Sequence, residues 1–195
     1  MKRFLTLLSL LTLGAMSNAQ DFTFDLAHSS VGFRVSHMVV SKVPGEFKSF
    51  VGTIKGFDGA NLETGSVEVS IDVASIDTRD NKRNEHLKSP DFFDAAKFPQ
   101  ITFKSKQIIK GEGSAFKMIG DLTMRDSTKE VTLDCMFNGA IDDPWGSTRV
   151  GFSGTGKINR LDFGVIWNKT LDAGGVLVGN DVEIRLEVEA ARKKG

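Results

Sequence analysis

Residues 66–75 read SVEVSIDVAS, and every second position is apolar: Val67, Val69, Ile71 and Val73 alternate with Ser66, Glu68, Ser70 and Asp72. A helix would scatter these side chains around its axis. An extended chain puts the four apolar ones on one face and the polar ones on the other. The stretch therefore predicts a β-strand with one face in a core and one in water, the arrangement of antiparallel sheets. DVEIRLEVEA at 181–190 repeats the scheme, with Val182, Ile184, Leu186 and Val188 opposite Glu183, Arg185, Glu187 and Glu189. VGFRVSHMV does so with Val31, Phe33, Val35, His37 and Val39 on one side.

Further candidate strands are GEFKSFVGTIKGF, QITFKSKQII, AFKMIGDLTM, EVTLDCMFNGA and RVGFSGTGKI, with a short first strand near FTFDL. Most connections are brief and rich in turn formers, such as DGANLETG, KGEGS, RDSTKE and IDDPWGS. Eight or nine short-linked strands must hide their edges, and closing the sheet into a barrel does so completely. The expectation is an all-β, antiparallel, eight-stranded barrel, a size with room for side chains or one small ligand. Glycines share predicted inward faces with large residues: Gly154 and Gly156 with Phe152 and Ile158, and Gly120 with Met118, Leu122 and Met124. They either leave space or ease strand bending.

Two stretches break the pattern. RDNKRNEHLKS, within residues 75–99, suits a short polar helix, and the adjoining HLKSPDFFDAAKFPQITF gathers Phe92, Phe93, Phe98 and Phe103. Residues 159–180, NRLDFGVIWNKTLDAGGVLVGN, form the second irregular segment.

The chain opens with Lys2 and Arg3, a short apolar run from Phe4 to Ala15, and small residues at Ser17 and Ala19. That is the pattern of a secretory signal at 1–19, its apolar run short of the ~20 residues of a spanning helix. Residues 20–195 then suit one exported domain. Lys and Arg balance Asp and Glu at 25 each, with no basic stripe to suggest nucleic acid as a partner. Cys135, the single cysteine, shares a strand face with Val131, Leu133 and Phe137, which predicts core packing. GFSGTGKI nearly matches a phosphate-binding loop, but Ile158 replaces the required hydroxyl and the stretch alternates as a strand. His28, His37 and His86 show no metal spacing, and no catalytic motif reads out. His37 is either a satisfied core histidine or a polar contact inside a cavity.

At this point the segments HSSVGFRVSHMVVSKVPGEFKSFVGTI, IDVASIDTRDNKRNEHLKSPDFFDAAKFPQITFKS, GDLTMRDSTKEVTL, DPWGSTRVGFSGTGKINRLDFGVIWN and GGVLVGNDVEIRLEVEA, in that order, resemble the YceI family of exported lipocalin-like proteins. The resemblance implies a barrel whose apolar channel holds a polyisoprenoid or similar amphiphile, an isoprenoid quinone included. It brings no catalytic residues, metal or cofactor, and it implies a periplasmic location. Under it, Phe33, Val35, His37, Val69 and Ile71 would line the channel with Phe103, Met118, Leu122, Phe152 and Trp167. Phe92, Phe93 and Phe98 would form a lid over one end, or else a cluster that closes the barrel without touching a ligand. Arg79, Arg83, His86, Arg160 and Asn168 are candidate donors to a polar head group, each with a solvated surface role as the alternative. Transient membrane contact fits such a carrier, and monomer and homodimer both stay open. Two competing readings remain: an exported barrel enzyme with His37 or His86 as general base, and a partner-binding module whose barrel is filled by its own side chains.

Overall fold

The alternating segments pair in chain order. A computed structural model describes residues 21–57, 61–171 and 174–193, so the export signal read at 1–19 and residues 58–60 of the predicted 58–65 turn lie outside the described residues. Its strands are β1 (Phe22–Phe24), β2 (Ser30–His37), β3 (Ser41–Phe47), β4 (Phe50–Lys55), β5 (Ser66–Asp72), β6 (Ile76–Asp77), β7 (Gln100–Lys110), β8 (Ala115–Met124), β9 (Ser127–Asp142), β10 (Ser147–Asn159) and β11 (Val178–Lys193). The polar helix is present as α1, Asn81–Lys88.

Three pairs of these segments are single long strands with a break. β1 and β2 both run antiparallel to β11, separated by a 3-10 turn at Leu26–His28. β4 pairs with β1 and β3 with β2, while β5 and β6 lie on the far side of β4 and β3. The eleven segments thus form eight antiparallel runs, each beside its chain neighbours, with β11 closing on the first. The predicted eight-stranded barrel is the observed fold, but the strand read over 66–75 ends at Asp72, with Val73–Ser75 in a 3-10 turn, and the one read over 45–57 is broken between Phe47 and Phe50.

Closure requires curvature, and the ladder irregularities supply it. Register shifts occur between Ser105 and Gln107, between Gly151 and Phe152, and between Val178 and Val182. Each adds a local bend and extra twist to a strand. At the second, Gly139 takes φ 128, a conformation side-chain-bearing residues rarely adopt.

The seam is short at its N-terminal end, where Thr23 faces Ala191 and Phe24 faces Ala190. Phe22 and Ala190 are completely buried there and Val150 nearly so. An ion network ties the same place together. Arg149 donates to Asp25 at 2.8 Å, to Asp143 at 2.8 Å, and to Glu189. Asp25 Oδ1 also caps the 3-10 turn by accepting from the backbone N–H of Ala27 at 3.0 Å. Strands β10 and β11, the β9–β10 turn and the β1–β2 break therefore converge on one guanidinium. Its hydrogen bond, followed by that of His28, brings the Asp25 carboxyl down to about 2. Asp143 is also lowered, by the Ser147 backbone N–H and then by Arg149.

Both carboxyls hold protons more weakly in the folded chain than in the unfolded one. Their contribution is complete above the ordinary carboxylate range and is lost as pH falls through it toward about 2. Arg149→Gln is expected to lower the urea midpoint most near neutral pH, with the gap to wild type closing steadily in acid. A gap independent of pH between neutrality and pH 2 would show that the network adds nothing through these carboxylates.

Candidate functional site

The barrel interior is built by the inward half of each alternation. Phe33 and Val35 from β2, Val69 and Ile71 from β5, Phe103 from β7, Met118 and Leu122 from β8, and Phe152 from β10 all line one cavity of about 230 Å³. Among the described residues, the only charged side chain in the lining is Arg160. Cys135 lines it as well, and burial pushes its thiol up to about 11.

Of the glycines singled out in the sequence, Gly120 makes room for a ring, whereas an added Cβ would meet Leu133 Cδ2 at 2.6 Å at Gly156 and Cys135 Sγ at 3.3 Å at Gly154. An added Cβ would lie 2.2 Å from the Phe33 ring at Gly45, 2.4 Å from the Phe24 ring at Gly52, and 2.5 Å from the Phe103 ring at Gly120. Each glycine lets a phenylalanine lie back against the barrel wall instead of projecting toward the axis. The space left by the missing side chains at Gly45, Gly52 and Gly120 is thus filled by rings.

Two aromatic groups bound the cavity. Toward the chain termini, Phe57 packs against Phe22, Phe137 and Phe152 with centroids about 6 Å apart. At the other end lies the aromatic loop after α1. Asp80 starts this helix by accepting from the Arg83 backbone N–H at 3.0 Å. The chain then folds back on the helix end: the N–H groups of Phe93, Ala95 and Asp94 reach the carbonyls of Leu87, Lys88 and Ser89. Carbonyls that a helix end leaves unpaired are satisfied in this way, and Phe92 and Phe93 are delivered into the cavity lining beside Leu87. Phe93 meets Phe47 edge-on at 6.0 Å. Phe92 contacts Trp167 at 5.1 Å, and the His86 ring stands edge-on to both at 5.0 Å. Arg125 joins the two loops, donating to the carbonyls of Phe92 at 2.6 Å and Gly164 at 3.0 Å.

Other predicted residues sit elsewhere. Phe98 is outside the lining, with Lys97 and Arg125 over its ring at 5.0 and 5.7 Å. His37 also lies outside it, at the end of β2 opposite Val178. Trp167 packs on the core behind Phe92 without lining the cavity. The proposed polar cluster is dispersed among structural roles. Arg83 donates to the Thr78 hydroxyl at 2.8 Å and its carbonyl at 2.6 Å. Asn168 is bonded both ways to the Val178 backbone, and His86 to Asp91 at 2.8 Å. The Arg79 backbone N–H is held by Asp77 Oδ1 at 2.8 Å. Arg160 reaches the cavity, yet its guanidinium donates to the carbonyls of Val165, Trp167, Val178 and Gly179. It is buried, and desolvation lowers its pKa. Phe47 and Phe116 also line the cavity and were readable from the alternation of their strands. Arg125 left no sequence signal, because its partners are backbone carbonyls of two distant loops.

The YceI-like domain model matches residues 22–190. A UPF0312 protein of Staphylococcus aureus (strain bovine RF122 / ET3-1) is 40% identical over 170 residues, covering 87% of this chain and 96% of that one. The crystal structure of a Campylobacter jejuni YCEI protein superposes with a TM-score of 0.70 at 36% identity, covering 87% of this chain and 96% of that one. A polyisoprenoid binding domain from Saccharophagus degradans shares the fold at 13% identity, with a TM-score of 0.61, covering 87% of this chain and 97% of that one.

Two outcomes follow from the lining. Gly45→Ala is expected to drive the Phe33 ring into the cavity and cost about 1–3 kcal/mol in urea unfolding, as overpacking does; an unchanged midpoint would mean the ring has another resting place. Raising the Cys135 thiol from 9.0 to about 11 should slow iodoacetamide alkylation at pH 8 by about 100-fold relative to the urea-unfolded chain.

Proposed function

The chain belongs to the YceI-like domain family, and on that premise we propose that it is an exported carrier that binds a polyisoprenoid or similar amphiphilic lipid in the barrel. The observation that carries this reading is the apolar cavity of about 230 Å³. Polar substrates would lose their water there with little to replace it. A hydrocarbon segment loses nothing of the kind. The fold shared with the Saccharophagus degradans domain named for polyisoprenoid binding supports the ligand class. The secretory pattern at 1–19 supports a periplasmic location.

Size constrains the cargo. A tail longer than the cavity has to emerge past one aromatic end. Burying ten carbons at roughly 0.8 kcal/mol each contributes about 8 kcal/mol before association costs. Micromolar binding is within reach of that figure. With Arg160 and Asn168 engaged by the protein's own backbone, Arg83 by Thr78 and His86 by Asp91, the head group belongs outside the barrel, and selectivity falls on the tail.

The test is denaturing lipid extraction with mass spectrometry on protein isolated from its native periplasm, alongside native mass spectra of the intact chain. One prenyl species near one-to-one stoichiometry is expected. Phe33→Glu places a charge in the lining and is expected to abolish retention while circular dichroism keeps its β signature. Retention unaffected by that charge would move the ligand out of the barrel and sink the carrier reading.

A further inference from the structure

The β2–β3 turn contradicts its own backbone. Met38 and Val39 have φ of 50 and 65, and the N–H of Val40 bonds back to the carbonyl of His37 at 3.2 Å. Two successive left-handed residues in a hairpin call for Asn-Gly, and a β-branched residue there is strained. The side chains gain no burial in exchange: Val39 is 80% exposed and Val40 84%. Strain and apolar exposure at one tip point to a use outside the fold.

We propose that this tip docks on a lipid bilayer, placing the cavity's α1 end at the membrane surface. The apolar surface there is broader than the turn. Met38 bonds to the Leu177 carbonyl at 2.9 Å, and Leu177 to the Lys169 carbonyl at 2.9 Å, so the turn lies beside the described loop residues 166–171 and 174–178. That loop exposes Ile166 and Val176. Residues 35–41, VSHMVVS, contain no Lys, Arg, Asp or Glu, so the tip can enter an interface without desolvating a fixed charge. The surface is also continuous with the interior: Val35 and Val178 line the cavity, and Val178 pairs with His37, the residue before Met38. A bilayer suits this continuity, because cargo leaving it would pass from one apolar phase to another. The inference rests on the carrier reading above, and deepens it.

Met38→Asn with Val39→Gly relieves the turn and removes the apolar tip together. This variant is expected to melt at a higher temperature than wild type, yet its co-flotation with vesicles of phosphatidylethanolamine and phosphatidylglycerol (3:1) should fall about fivefold or more. Val40→Asp should lose flotation likewise. Ile141→Asp, an exposed apolar position in β9 at the opposite end, should keep it. Uptake of the soluble probe N-phenyl-1-naphthylamine, measured without vesicles, reports on the cavity alone and should be the same in the tip variants as in wild type. Wild type that floats without taking up the probe upholds docking and fails the carrier reading. Absent flotation of wild type, or flotation undiminished in the Asn-Gly variant, overturns docking. A tip variant that changes only the oligomeric mass overturns it too, and makes the tip a contact between two copies.

Discussion

A sheet with one wholly apolar face has to cover it, and this chain covers it with the sheet's own other half. Everything else depends on the last strand meeting the first: β11 must pair with β1 and β2 at once, across the break at Leu26–His28. Without that pairing the inward residues of all eight runs face water. The seam is correspondingly reinforced, by complete burial of Phe22 and Ala190 and by the Arg149 network around Asp25, Asp143 and Glu189. The break itself is part of the solution. It lets a strand that starts at the terminal end bend enough to stay on the barrel surface along its full length.

Within that closed wall, the balance between filling and leaving room is set by pairs of residues on neighbouring strands. Phe33 lies over Gly45, Phe24 over Gly52, and Phe103 over Gly120. A larger residue at any of these glycines would turn a ring inward, so the interior volume is controlled from positions that do not themselves define its chemistry. The ends are controlled by backbone polarity. Carbonyls at the end of α1 recruit the loop that carries Phe92 and Phe93, and Arg125 and Arg160 collect further carbonyls from the two long loops.

Strand identity, barrel closure and most of the lining were legible because a two-residue period reports which way each side chain points, and the polar helix because its stretch breaks that period. Phe33, Val69, Phe103 and Phe152 reach the cavity for that reason alone. The loops have no such period. Phe92 and Phe93 line the cavity while Phe98, five residues on, is held outside between two cations, a difference decided by how the loop folds back on the helix. The partners of the polar candidates were hidden for a related reason. An arginine in a sequence shows five donors but not the carbonyls waiting for them, and Arg160 and Arg83 are engaged by backbone that becomes correctly oriented only in the folded loops.

A cavity lined almost entirely by hydrocarbon has no marker along its axis. A hydrogen bond would hold a bound chain at one position; dispersion contacts with phenylalanine, valine and methionine are nearly the same if the chain advances by one carbon. Under the proposed carrier role, a chain in such a sleeve would keep the freedom to slide, and so would lose less entropy on entry than a ligand fixed at a single station. Girth would then be the property that is read, and length would matter only until the sleeve is full.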